Sequence, residues 1–178
     1  FRQIIDIPTW NALFWIIMVF AAVNGVARSF LQESRGIQLY YYTVLNPVSV
    51  IMSKILYNTA LLMVIALVNF VFYSLFLGNN VSDIPMFLLG LFLGSAGLAS
   101  TLTLVSAIAA KASNSPSLMA ILSFPILIPL LMTIIRFSKN AIDGIGWAVN
   151  QNYALTLLAL IAIVITLSYL LFPYLWRK

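Results

Sequence analysis

An all-α, polytopic bundle of transmembrane helices is the fold class this sequence predicts, and three observations predict it. Of the 178 residues, 63% are hydrophobic and 7% charged, against about 45–50% apolar in an ordinary soluble domain. Mean hydropathy is +1.07, and a soluble fold has nowhere to hide that much apolar surface. The apolar residues also fall in five continuous blocks, each close to or above the roughly 20 residues a helix needs to cross the hydrocarbon core. A transmembrane β-barrel would show short alternating segments instead.

The first block runs Trp10–Ala27. The second, Pro47–Leu77, is about 31 residues, or about 46 Å of helix, against a hydrocarbon core about 30 Å thick. Its beginning must therefore project beyond the bilayer. Asn46-Pro47 is a helix start, because proline at the first position gives up an amide that has no intrahelical partner anyway. Lys54 falls where its ammonium can snorkel to the headgroups, and Gly78-Asn79-Asn80 closes the helix.

The third block, Pro85–Ala110, follows a short connection over Gly78–Ile84, with Asp83 set against the positive end of the coming helix. The fourth, Ser117–Ile135, and the fifth, Tyr153–Phe172, are separated by the longer stretch Arg136–Asn152. That stretch, with Asp143, Gly144, Gly146 and Trp147, is expected to lie on the outer interface. No repeat or soluble domain is visible, so residues 1–178 read as a single transmembrane domain.

Lys and Arg near the span ends set the expected orientation. Arg28, Arg35, Lys54, Lys111, Arg177 and Lys178 share one side, and Arg2, Arg136 and Lys139 the other. This places the Arg28–Lys54 region and the C-terminus in the cytoplasm. Five spans then put Phe1 outside, and no charged leader with a small-residue cleavage site opens the first block. The expectation is a native protein of six spans whose first is missing from this chain.

Zero cysteines and zero histidines remove disulfides, thiolate metal sites, thiol catalysis and the commonest general base and metal ligand. No nucleophile–base pair, metal cluster or phosphate-binding glycine loop is visible, so no catalytic site is assigned, and if transport is ATP-driven another chain must bind the nucleotide. The net charge of +5 is spread thinly around apolar blocks and forms no basic stripe for nucleic acid. No ionisable residue stands at the middle of a predicted span, which argues against a carboxylate relay. Asn69 is read as the deepest strongly polar side chain, held by a hydrogen bond between helices.

Three segments stand out. In Arg28–Pro47, Ile37, Tyr40, Tyr41, Val44 and Leu45 recur at helical spacing opposite Glu33, Arg35, Gln38 and Thr43. A short amphipathic helix along the cytoplasmic interface is expected, as an anchor with Tyr40-Tyr41-Tyr42 in the aromatic belt or as a docking site for a soluble partner. Gly90 and Gly94 form a G-x-x-x-G pair whose face continues through Gly97 and Thr101, which suits close helix packing. The hydroxyls of Ser95, Ser100, Thr101, Thr103 and Ser106 offer the alternative of a substrate path. Pro125 and Pro129 lie four apart inside the fourth span, so the carbonyls of Ile121 and Pro125 lose their usual donors, and a kinked or locally opened helix is expected there, static or gating.

A hydrophobic span, the stretch Phe30-Leu31-Gln32-Glu33-Ser34-Arg35-Gly36-Ile37-Gln38-Leu39, then Asn46-Pro47 and Lys54 resemble the membrane subunits of type-2 ABC exporters. The phrase from Leu118 to Leu131, with Ser123-Phe124-Pro125-Ile126-Leu127-Ile128-Pro129, looks more narrowly like the haem exporter protein B (CcmB) family of cytochrome c maturation. The resemblance covers nearly the whole chain. It implies a permease in the bacterial cytoplasmic membrane, powered by a separate ABC ATPase, accompanied by other cytochrome c maturation membrane proteins and paired with a second permease copy. It also implies that Arg28–Pro47 is the coupling segment, carried by Glu33, Arg35, Gly36, Gln38, Tyr40 and, at the start of the next helix, Lys54.

Members of that family carry a leading segment and first helix ahead of the position of Phe1, and usually an acidic residue where Gln38 stands, so no ionic contact is implied at 38. ATP enters through the partner. Haem is implied as cargo or as a partner's ligand, but no ligand residue is assigned to it, because Met63, Met119 and Met132 read as packing residues and there is no His or Cys. Two other readings fit the same residues: a permease for a lipid, drug or glycan, and a non-transporting membrane scaffold.

Overall fold

The computed structural model describes residues 6–26, 46–112 and 116–176, with the side chains of 112, 116–120 and 176 left aside. They form five helices: α1 (Ile7–Val26), α2 (Pro47–Leu77), α3 (Ile84–Ala112), α4 (Pro116–Ile142) and α5 (Trp147–Trp176). All five are long and apolar enough to cross a membrane.

The two ends of α2 fall where its punctuation puts them. The Asn46 side chain accepts from the Val48 amide at 3.1 Å, and proline follows it at the first helical position. Gly78 ends the helix at φ +85°, a conformation open to glycine and costly for other residues. Asp83 accepts from the Met86 amide at 3.0 Å and so starts α3.

The fourth and fifth helices depart from the sequence reading. Arg136–Asn152 is not a long interfacial loop: α4 continues to Ile142, α5 begins at Trp147, and four residues join them. The turn is tight because Gly144 takes φ +72° while the Ile145 amide reaches back to the Asn140 carbonyl at 2.8 Å. Arg136 and Lys139, taken as loop residues, are therefore helical. Both prolines lie inside α4, whose helical assignment is continuous through Pro125 and Pro129, the two positions for which a kinked or locally opened helix is expected.

α3 is the hub. In its most apolar stretch 78% of the residues are buried, against 17–39% in the other four helices, which surround it and leave their outer faces apolar. The main core is aromatic at one end, where Trp10, Phe14 and Trp15 of α1 meet Tyr73 of α2 and Phe87 of α3. At the opposite end a smaller cluster joins Val50, Ile51 and Ile55 of α2 to Ala107 of α3 and Phe172 of α5. The start of α2 and the ends of α3 and α5 thus share one end of the bundle. Lys54 and Lys111 lie there and Arg136 and Lys139 at the other end, as the sequence divides these four; the other five cations lie outside the described residues.

Candidate functional site

The coupling residues divide. Lys54, two turns into α2, is half-buried beside the smaller cluster. Glu33, Arg35, Gly36, Gln38 and Tyr40, with the expected amphipathic helix and the Tyr40-Tyr41-Tyr42 run, lie outside the described residues, as does the Met119 side chain. What is fixed is the helix they lead into: 31 residues with no proline after the first position, from the Asn46 cap to Gly78.

The glycine face of α3 is filled from within the chain. A Cβ at Gly90 would lie 3.0 Å from the Phe137 ring, at Gly94 2.4 Å from the Trp15 indole, and at Gly97 2.6 Å from a Leu130 methyl. α4 and α1 therefore occupy the groove, and Thr101, on the same helix, is 1% exposed. Side chains of the same chain thus pack closely on this face at Gly90, Gly94 and Gly97.

The hydroxyls of α3 face the interior of the bundle. Ser95, Ser100, Thr101, Thr103 and Ser106 are all buried in the bundle. Ser100 donates to its own Gly97 carbonyl at 3.1 Å, and Thr103 accepts from Asn58 of α2 at 2.9 Å. Asn58 thus makes the helix-to-helix bond that had been expected of Asn69, whose buried amide nitrogen has no acceptor among the described residues.

At the end of the bundle away from Lys54, two buried polar knots that the sequence reading missed pin four helices together. Ser138 of α4 accepts from the Trp15 indole at 2.9 Å and faces the Asn11 side-chain oxygen at 2.9 Å, while Asn11 donates to the Ile135 carbonyl at 2.8 Å. Asn150 of α5 accepts from Asn140 at 3.0 Å and donates to the Phe137 carbonyl and the Met86 sulfur. Asn11 inside the first apolar block was the available signal, whereas Ser138, Asn140 and Asn150 fall in the stretch that reads as a connection. In lipid such groups must find partners within the protein, and each such bond between helices contributes about 0.6 kcal/mol on average.

The paired prolines are exposed on the outer face of α4, and the Pro129 carbonyl is taken by the Thr133 hydroxyl at 2.8 Å. Of the methionines, Met63 packs against the main core and Met132 is 55% exposed on the lipid-facing side of α4. Among the described residues no group of three or more His, Cys, Asp or Glu is placed to hold a metal ion.

A family model described as CcmB protein matches residues 8–174, from the first turn of α1 to the last of α5. No curated protein matches the chain, and no solved structure does. A match over so much of the chain, through all five helices, establishes that the protein belongs to the CcmB family, the membrane permease component of the haem exporter of cytochrome c maturation, whose ATPase is a separate protein.

Proposed function

We propose that the ATPase partner docks on the cytoplasmic Arg28–Pro47 segment and that α2 carries its motion across the membrane. Glu33, Arg35, Gly36, Gln38 and Tyr40 supply the contact, and Lys54 steadies the start of the helix at the headgroups. The observation that carries this reading is the continuity of α2. Its 31 residues are capped at Asn46 and end only at Gly78, giving a lever of about 46 Å. Only 17% of its most apolar stretch is buried, the smallest share among the five helices, so most of that stretch lies outside the packed core. This is transmission by a rigid body.

In this reading the C-terminus and the Lys54 end face the cytoplasm, two copies pair with two ATPases, and Pro125 and Pro129 let α4 bend as α2 moves. The seam between copies lies away from the Gly90–Thr101 face, which α1 and α4 already fill. With neither His nor Cys in the chain, the work is passed to a haem-handling partner instead of a ligand site within the bundle.

The test is to replace Glu33 and Arg35 together by alanine in the assembled complex. Co-purification of the ATPase and its stimulated ATP hydrolysis should both fall while the permease remains folded in the membrane. Unchanged association and hydrolysis would sink the proposal.

A further inference from the structure

The extension of α4 past Ile135 carries Arg136 into the span Ile121–Ile142. Pro125, Pro129, Met132 and Arg136 follow one another at helical spacing, and all four are exposed. Arg136 therefore continues a stripe that faces lipid. It stands six residues before the helix end, about 9 Å along the axis, at a depth where the apolar core gives way to headgroups.

A guanidinium stays charged there and needs an oxyanion. None of the described carboxylates serves it. Asp143 pairs with Lys139, Asp83 caps α3 through the Met86 amide, and Asp6 caps α1 through the Thr9 amide. Around Arg136 the surface is concave: a cleft of about 230 Å³ lies between α4 and α5, lined by Pro129, Met132, Thr133, Arg136 and Tyr153. Its lining is graded along the helices, with Pro129 and Met132 further from the end of α4 and Arg136, with Tyr153 near the start of α5, closer to the end of the bundle. An apolar wall below a bidentate donor and an aromatic ring fits one kind of molecule, an amphiphile with an anionic head.

We propose that this cleft binds an anionic phospholipid, with the phosphate on Arg136 beside Tyr153 and the first acyl carbons along Met132 and Pro129. The lipid supplies the counter-charge that the described carboxylates do not, and ties α4 to α5 on the outer face of the pair.

The full chain, purified and reconstituted, gives the test. Phosphatidylglycerol should raise the thermal midpoint above that in phosphatidylcholine, Arg136→Gln should abolish the difference, and Lys139→Gln should keep it. Native mass spectrometry of the unsubstituted protein and of Arg136→Lys supplies a readout that does not depend on the glutamine variant folding. Phosphatidylglycerol should be retained about tenfold over phosphatidylcholine by the unsubstituted protein, the ratio a single charge-assisted pair sets. Equal retention of the two lipids, or equal stabilisation of Arg136→Gln, would overturn the proposal. So would full stabilisation by inorganic phosphate alone, which would mark a site for a small oxyanion instead of a lipid.

Discussion

The indole of Trp15 lies directly over Gly94, so close that a Cβ on that glycine would stand 2.4 Å from the ring. The ring has no room to retreat, because its N–H is held by the Ser138 hydroxyl at 2.9 Å. Glycine at 94 and serine at 138 are thus two halves of one constraint on the same tryptophan.

Gly94→Ala should therefore destabilise the bundle by about 1–3 kcal/mol, the usual cost of overpacking a close contact. Gly146→Ala, where a Cβ would meet nothing within 4 Å, is the matched control. Thermal unfolding in detergent should separate the two variants, and equal midpoints would refute the packing assigned to α1, α3 and α4.

Ser138→Ala should cost about 1–3 kcal/mol, since it strands the buried Trp15 donor in an apolar interior. Combining it with Trp15→Phe should cost less than the sum of the two single changes, because the stranded donor is then gone as well. A double-mutant cycle reads the coupling directly, and strict additivity would argue against the bond.

Pro125→Ala and Pro129→Ala together restore two amide donors to α4, facing the carbonyls of Ile121 and Pro125. Thermal stability should rise, and covalent haem on c-type cytochromes, followed by haem staining in a complemented deletion strain, should fall as α4 loses its place to bend. A stability gain with normal staining would make the prolines static.

Asp6 gives a pH signature at the start of α1. The hydrogen bond from the Thr9 hydroxyl is the main cause holding its carboxyl below the usual range, partly opposed by burial and assisted by the Thr9 amide. A carboxyl depressed on folding stabilises fully above its ordinary value and loses that contribution as pH falls through the depressed one. Amide exchange in the first turn of α1, corrected for intrinsic rates, should rise across that acid window, and Asp6→Asn should flatten the dependence.

How much of this was legible depended on where polarity was local. Both ends of α2 could be read because Asn46-Pro47 and Gly78 act through their own backbone. The end of α4 could not. Arg136, Ser138, Lys139 and Asn140 look like a loop in one dimension, yet Ser138 and Asn140 are held by partners on α1 and α5 that lie far along the chain or across a turn. The glycine face was visible as a pattern, but its occupants, Trp15, Leu130 and Phe137, were set by tertiary packing. The same holds for Asn58, whose partner Thr103 is 45 residues away, and for Asn69, which has the composition of a bonding residue without the neighbour.

The long reach of the Ser138 knot bears on how the protein is made. Asn11 and Trp15 are synthesised before the hydroxyl that satisfies them, which comes 127 and 123 residues later. A nascent chain that has delivered α1, α2 and α3 to the membrane carries an amide and an indole without their partner, and a glycine groove on α3 with nothing from α4 in it. The packing and hydrogen bonding of the three helices at this end are completed only when α4 arrives.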